Sequence, residues 1–347
     1  MSVAWSHWRA GWCSPSYIPW GELGVEIFFV ISGFLITGIL LDNRSETAGI
    51  FVLRQFYARR FLRIFPLFYA TIIIALIWNA SSMRETWLWH VSYLSNVYFY
   101  VWGWHGQLSH FWSLAVEEQF YLLWPLFMIF LPKRFILPVI LIGILIAPTF
   151  ELGMNLLYPA HMSASVLMPS CLDALGMGAL LAYAARENFS MQRFTLLLLL
   201  IGITGYALCG FSIKFAPVGR LAEDCILGWV VFSAAAGFQG PFGWLLECGP
   251  LNYLGKISYG FYVFHNFAIS MCLHLIALLG SPEWLVAIYK IPVFRMLIFA
   301  GLTIGLAAYS WHRFEKPIND LKRKFPYRGQ GRVTVNPPQT GIPDPSG

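Results

Sequence analysis

Hydrophobic positions in this chain form long unbroken runs, and strongly polar positions concentrate in the short stretches between them. Each run is near the roughly 20 residues that an α-helix needs to cross a bilayer. The pattern predicts an all-α polytopic membrane bundle of about ten transmembrane helices, the first incomplete and within residues 1–8. The other nine spans are predicted at 24–41, 61–79, 110–131, 135–150, 170–186, 192–211, 220–239, 254–280 and 293–313.

The composition supports a membrane protein. Apolar residues make up 58% and charged residues 12% of the chain, and the mean hydropathy is +0.62. A soluble domain carries about 25% charged residues. The six cysteines are scattered without metal-ligand spacing, so we expect no metal site. We predict one membrane domain over 1–320 and, over 321–347, a basic and then Pro/Gly-rich disordered tail.

Basic residues divide unequally between the two sides of the predicted bundle. Of the 23 lysines and arginines, 17 fall on the side that holds 42–62 and the C-terminal tail. The positive-inside rule makes that side cytoplasmic, with both termini there. The net charge of +6 then reflects membrane topology, and we expect membrane lipids but no nucleic acid as partners.

Two adjacent glutamates, Glu117 and Glu118, interrupt the apolar run 110–131. A carboxylate at bilayer depth costs about 2.5–3.5 kcal/mol. Ser113, Glu117 and Tyr121 recur every four residues, which places them on one helix face. The stripe predicts a reaction site or a transport pathway; the alternative is a buried structural pair.

Two earlier runs carry further polar positions. Glu26, Gly33 and Thr37 share one helix face, and Gly33 allows a neighbouring helix to approach closely. Glu26 instead reaches the membrane surface if that helix serves only packing. Arg60 and Arg63 are three apart at the cytoplasmic end of the next run, where they either bind phosphates or anchor the helix.

The late runs are less informative. Ser258, Tyr262 and His265 share one face, which indicates a pore lining or a packed hydrogen-bonded group. Glu223 and Asp224 begin a span at the outer side, where we expect them to be solvated.

The longest outer loop, 80–109, is rich in aromatic residues, among them Trp87, Trp89, Trp102 and Trp104. Tryptophan is enriched where a membrane meets water, so the loop is typical of an interfacial aromatic belt. The alternative is a surface on which sugars stack.

Five segments occur in a characteristic order: GVEIFFVISGFLI, ARRFLRIFPLFY, HFWSLAVEEQFYLLWPL, ISYGFYVFH and FEKP. Together they resemble the acyltransferase 3 family of bacterial integral-membrane acyltransferases, over residues 1 to about 320. The resemblance implies an O-acyltransferase of the bacterial inner (plasma) membrane, which acylates a cell-surface glycan or lipid-linked sugar. Acetyl-CoA, or another acyl-CoA, is the expected donor substrate, and no tightly bound cofactor or metal is expected.

The resemblance also implies roles for matched positions. His7 corresponds to the essential family histidine and is the expected catalytic base. The basic residue that precedes it by eleven positions would fall before Met1, so we expect a truncated first helix. Glu117 is the expected partner that orients the imidazole and stabilises imidazolium. Arg60 and Arg63 are expected to hold the phosphates of CoA.

Other matched positions are assigned to substrate binding or to lining the pore: Glu26, Ser113, Glu118, Tyr121, Tyr262 and His265. One segment departs from the family. Where members carry Arg-x-Asp, this chain reads CLDAL, so Cys171 replaces the arginine and Asp173 is retained.

Two other function classes stay open. A transporter or flippase would use the buried carboxylates to relay protons or bind a cation. A non-catalytic membrane scaffold would follow if the first half-helix is missing. For the enzyme, the residues leave open whether His7 activates the acceptor hydroxyl or carries the acyl group transiently.

Overall fold

The computed structural model describes residues 20–44, 49–78, 83–187, 189–209, 216–238 and 240–327. This part of the chain is helical and contains no β-strand. His7 and residues 1–8 lie outside it, as does the predicted tail after residue 327. The fourteen described α-helices are α1 (Trp20–Asn43), α2 (Gly49–Ile77), α3 (Met83–Val91), α4 (Ser95–Trp102), α5 (Phe111–Phe130), α6 (Lys133–Leu157), α7 (Leu172–Ala184), α8 (Met191–Cys209), α9 (Ala216–Ala236), α10 (Gly240–Leu246), α11 (Gly249–Leu278), α12 (Glu283–Lys290), α13 (Pro292–Ser310) and α14 (Lys316–Asp320).

Six described helical segments are long and apolar enough to cross a membrane. They correspond to six of the nine spans predicted within the described residues, so a multi-pass membrane protein is confirmed and the count of about ten is not. The six segments are Gly21–Asn43, Gly49–Ile77, Lys133–Leu157, Met191–Leu208, Gly249–Leu278 and Pro292–Lys324.

The three remaining predicted spans correspond to α5, α7 and α9, and each carries buried charge. Glu117 lowers the hydropathy of α5, and Asp224 lowers that of α9. Helix α7 carries Asp173 and has only 13 residues, fewer than the roughly 20 that span a bilayer. Each of the three helices that fall short as simple membrane spans therefore brings an ionisable group into the bundle.

Helix α2 begins at Gly49, well before the predicted start at residue 61. Its first turns carry Arg54, Arg59 and Arg60, which interrupt the apolar pattern but do not disfavour a helix. Because of this extension, Arg60 and Arg63 lie in the middle part of a continuous helix and not at its start.

Helices α1 and α7 pack in direct backbone contact. A Cβ on Gly33 would lie 1.9 Å from the carbonyl oxygen of Leu175, and one on Gly178 would lie 2.0 Å from that of Val30. No side chain fits in either gap, so the two glycines let the backbones approach directly. The predicted role of Gly33 in close helix approach is confirmed.

Helix α5 packs against α1 and presents its polar face to the bundle. Trp124 Nε1 donates a hydrogen bond to Thr37 Oγ1 at 2.8 Å, and Trp124 stacks on Phe120. The Trp124–Thr37 hydrogen bond fixes the rotation of α5 about its axis relative to α1. Glu117, two turns before Trp124, is thereby held in the interior.

The C-terminal end of α13 passes into a π-helical turn, Trp311–Glu315, followed by α14 and a short 3₁₀ turn. This region packs on α2: Arg59 lies 4.9 Å from the ring centroid of Tyr327 and donates to the carbonyl of Phe325. Residues 321–327, the first of the segment assigned to the tail, are thus in contact with the bundle.

Candidate functional site

A cavity of about 500 Å³ lies between α1, α2, α5 and α11. Ser32, on its wall, is roughly 18 Å along the helix axis from Trp20 and roughly 16 Å from Asn43, from the rise of 1.5 Å per residue. The cavity is therefore near the middle of α1. Its wall includes these predicted site residues: Arg60, Arg63, Glu117, Tyr121, Tyr262 and His265.

The Glu117 carboxylate is fixed by two hydroxyl groups. Glu117 Oε1 accepts a hydrogen bond from Ser32 Oγ, and Tyr121 Oη lies 2.8 Å from the same oxygen and 3.0 Å from Ser32 Oγ. The Glu117 side chain is buried, with 3% exposure. Hydrogen bonds to a buried carboxylate are strong and hold it in one orientation. Glu117 and Tyr121, which were predicted to share one helix face, both line this cavity.

Arg60 and Arg63 enter the cavity as cations supported by aromatic rings. The Arg60 guanidinium lies 4.7 Å from the centroid of the Tyr121 ring, and that of Arg63 lies 5.1 Å from Trp311. Among the described residues, neither guanidinium takes part in an ion pair or a hydrogen bond. Both therefore keep N–H donors for a ligand, in the planar arrangement that suits a phosphate.

The π-helical turn brings a further carboxylate toward Arg63. Glu315 is buried, accepts a hydrogen bond from Ser310 Oγ at 2.9 Å, and attracts Arg63 electrostatically. A Cβ on Gly260 would lie 2.9 Å from Glu315 Oε1, so glycine there lets α11 approach this carboxylate. Short π-helical segments often occur at functional sites.

Helix α11 forms another wall of the cavity and contacts α5 there. Tyr262 Oη lies 2.5 Å from Ser113 Oγ and donates to the carbonyl of His110 at 2.7 Å. His265 Nδ1 lies 2.5 Å from the Tyr262 carbonyl oxygen, and the His265 ring is 4.5 Å from that of His110. Ser258, Tyr262 and His265 line the cavity, while Ser113 lies behind Tyr262 and supports it.

Glu118 faces a different cavity, of about 480 Å³, on another side of α5. Its buried Oε1 has no hydrogen-bond partner among the described residues. Arg60 and Tyr121 contribute to the walls of both cavities. Adjacent helical positions are about 100° apart, so Glu117 and Glu118 lie on different faces of α5 and line different cavities.

Glu26 belongs to neither cavity, although it was grouped with the pore-lining residues. Its Oε1 lies 3.9 Å from Arg220 Nε in a buried ionic cluster. Arg220 also contacts Asp173 at 3.1 Å and Glu151 at 2.9 Å. The sequence of α1 marks Glu26 as a charged position in an apolar helix, but it does not report which neighbouring helices the side chain contacts.

The expectation that Glu223 and Asp224 are solvated is wrong for Asp224. Asp224 is fully buried, and neither carboxylate oxygen has a hydrogen-bond partner among the described residues. Helix α9 packs against α1 and α8, so this face is covered although it lies near the start of a predicted span.

The profile of one protein family, described as an acyltransferase domain, matches residues 2–315. The chain belongs to the acyltransferase 3 family. The family predicted from the five ordered segments is thereby confirmed.

Three curated relatives are similar to this member of the acyltransferase 3 family. It is 29% identical over 338 residues to peptidoglycan O-acetyltransferase OatA of Listeria monocytogenes, covering 87% of this chain and 52% of that protein. It is 26% identical to the putative peptidoglycan O-acetyltransferase YrhL of Bacillus subtilis, covering 92% and 53%. It is 29% identical to O-acetyltransferase OatA of Staphylococcus aureus, covering 90% and 54%. The chain spans about half the length of these relatives, and no solved structure is significantly similar to it.

Three residues of this acyltransferase 3 member were not found from the sequence. Ser32 is a single serine in an apolar run, which carries no signal of its own. Glu315 lies in the FEKP segment, which supports the family resemblance but indicates no role for the glutamate. The sequence places Arg220 only among the basic residues of the outer side and indicates no partner for it.

Arg220 also bears on the departure at position 171. Cys171 is buried beside Asp173, and its Sγ lies 3.3 Å from the Ser165 carbonyl oxygen. The Arg220 guanidinium contacts Asp173 from α9. A guanidinium thus reaches the retained aspartate from a neighbouring helix in the absence of an arginine at 171.

Proposed function

We propose that this chain is a membrane-bound O-acyltransferase that moves an acyl group, most simply acetyl, from acyl-CoA to a hydroxyl of a cell-wall glycan. One observation carries the proposal: a buried carboxylate held by two hydroxyls shares a mid-bundle cavity with two arginines that retain free donors. The names of the Listeria monocytogenes and Bacillus subtilis relatives, which specify peptidoglycan, support a glycan of the cell wall as the acceptor.

Arg60 and Arg63 bind the phosphates of the CoA donor in this proposal. Both come from α2, which begins at the side predicted to be cytoplasmic, where CoA is available. Charge-assisted hydrogen bonds from a guanidinium to phosphate are strong and can be bidentate. The thioester would then extend into the cavity toward Glu117.

His7 acts as the general base in the direct route, by the family correspondence. It takes the proton of the acceptor hydroxyl while the hydroxyl oxygen attacks the thioester carbonyl. The tetrahedral intermediate collapses to the ester, and the departing CoA sulfur receives the proton from the imidazolium. Glu117 orients the imidazole and stabilises its charged form, as in a triad.

An acyl-enzyme route uses the same groups. The His7 imidazole attacks the thioester, CoA leaves as the thiol, and the acceptor hydroxyl then takes the acyl group from the acyl-imidazole. Ser32 and Tyr121 serve either route because they fix the carboxylate.

CoA release by the full chain in lipid nanodiscs, measured as free thiol, tests the proposal. With acetyl-CoA present, we expect soluble glycan fragments of peptidoglycan to stimulate thiol release severalfold. A transporter or flippase would instead move the glycan across a vesicle membrane without consuming acetyl-CoA, and that result would overturn the proposal.

A further inference from the structure

A small cavity of about 120 Å³ lies beside the N-terminal half of α1, at the side of the membrane predicted to be extracytoplasmic. It is separate from the cavity that Glu117 lines. Along the axis of α1, Glu26 in the small cavity lies about 9 Å from Ser32 in the larger one. The residues that matter for its chemistry are Glu22, Glu26, Trp104, Trp112, Asp173 and Arg220.

Two indole rings form one wall of this small cavity. The centroids of Trp104 and Trp112 are 6.3 Å apart at an interplanar angle of 63°, and Trp112 packs edge-to-face against Phe29 at 6.2 Å. Trp104 is 46% exposed, so its ring is accessible from outside. Indole offers a flat apolar surface with a polar N–H, which suits a ligand that has apolar faces and polar edges.

The opposite wall presents hydrogen-bond acceptors around one cation. Arg220 is engaged by Asp173 and Glu151, and Glu26 Oε1 is at 3.9 Å. Glu26 Oε2 is buried and accepts no hydrogen bond from a hydroxyl or N–H group of the described residues, while the Glu223 carboxyl lies within hydrogen-bonding reach of the Glu26 side chain. A buried acceptor without a donor is unfavourable, and a ligand hydroxyl would relieve it.

The charge of this wall selects against an anionic ligand. Three carboxylates, Glu22, Glu26 and Asp173, accompany the single arginine on the cavity lining. A nucleotide or CoA would be repelled there, whereas it would be attracted by Arg60 and Arg63. The size of the cavity likewise matches part of one sugar ring better than a nucleotide.

We propose that the small cavity is a subsite for one neutral, hydroxyl-rich pyranose ring of the acceptor glycan. One face of the ring stacks on Trp104, and its hydroxyls donate to Glu26 at the opposite wall. The subsite rests on the proposed function for its acceptor. It also separates the substrates by charge, with the anionic donor held at the arginines and the neutral sugar at the carboxylates.

Equilibrium binding of a soluble peptidoglycan glycan fragment to the full chain in nanodiscs tests the subsite. The variants are Trp104→Ala and Glu26→Gln, with Trp102→Ala as the matched control. Trp102 is in the same loop region and is 52% exposed, but it packs on Trp89 and Tyr98 and does not line the cavity. Loss of a stacking ring should raise the Kd roughly tenfold.

We expect wild type and Trp102→Ala to bind the glycan equally, and the other two variants to bind it about tenfold more weakly with an unchanged donor KM. Equal Kd values for all four proteins, or an equal loss in Trp102→Ala, would overturn the subsite and leave the proposed reaction standing. Retained glycan binding without any acetyl transfer would overturn the reaction and leave the subsite standing.

Discussion

Glu117 is the residue on which the account depends, because it joins the sequence signal to the geometry of the cavity. Its four-residue spacing from Tyr121 is local to one helix, and for that reason the sequence predicted that the two side chains share one helix face. Ser32, the other hydroxyl at this carboxylate, is 85 positions away and comes from α1. Its role depends on how two helices pack, which helical periodicity within either one does not report.

Replacing Glu117 by Gln should lower acetyl transfer at least about 100-fold, because a neutral amide cannot stabilise an imidazolium. The matched control is Glu118→Gln, which removes the adjacent charge on the wall of the other cavity. We expect a clearly smaller loss there. Rates measured across a range of pH for wild type and both variants check this, and wild-type rates for Glu117→Gln would remove Glu117 from the mechanism.

Arg60→Ala and Arg63→Ala should each raise the donor KM roughly tenfold or more, because a charge-assisted hydrogen bond contributes about 1.5–3 kcal/mol. Arg54→Ala is the control, since Arg54 is exposed on the same helix and does not line the cavity. Steady-state kinetics with varied acetyl-CoA distinguish the cases. If replacing both cavity arginines leaves the donor KM as in Arg54→Ala, they only anchor the helix.

At the scale of the helix, close packing decides where side chains point. The glycine pattern of α1 predicted a close neighbour, and the structure identifies it as α7 through Gly33 and Gly178. The early start of α2 was not predicted, because Arg54, Arg59 and Arg60 lower the hydropathy without ending a helix. Helix α7 is shorter than predicted because a 3₁₀ turn, Met168–Cys171, occupies the start of the apolar run. The π-helical turn before Glu315 has no hydropathy signature at all.

Gly33→Ala should destabilise the protein by about 1–3 kcal/mol, since the added methyl would overlap the Leu175 carbonyl. Thermal unfolding in detergent, followed by circular dichroism, measures the effect. Gly143→Ala on α6 is the control, because an added Cβ there meets nothing within 4 Å. Equal melting temperatures for the two variants would contradict the close α1–α7 contact.

For the whole molecule, the sequence predicted a polytopic helical membrane protein correctly because apolar runs and charge asymmetry extend over the entire chain. It did not predict which helices meet around each polar residue. Glu26 and Glu117 both mark polar positions on apolar helices, yet packing divides them between separate cavities. The three-dimensional arrangement places them in different cavities, for which we propose different ligands.

The predicted topology places the C-terminal tail in the cytoplasm. In a cysteine-free background, Ser346→Cys should react with a membrane-impermeant thiol reagent only after the cells are lysed. Glu85→Cys, in the loop predicted to be outside, should react in intact cells. Labelling of the tail cysteine in intact cells would reverse the orientation and place the arginines of α2 away from cytoplasmic CoA.

In the proposed reaction, the Glu117 cavity joins a cytoplasmic donor to an extracytoplasmic acceptor. The most direct measurement uses vesicles that contain the full chain, with glycan fragments enclosed and acetyl-labelled acetyl-CoA added outside. We expect label to enter the enclosed glycan as a base-labile ester with wild type, and not with Glu117→Gln. Unlabelled enclosed glycan with wild type, or equal labelling with both proteins, would contradict it.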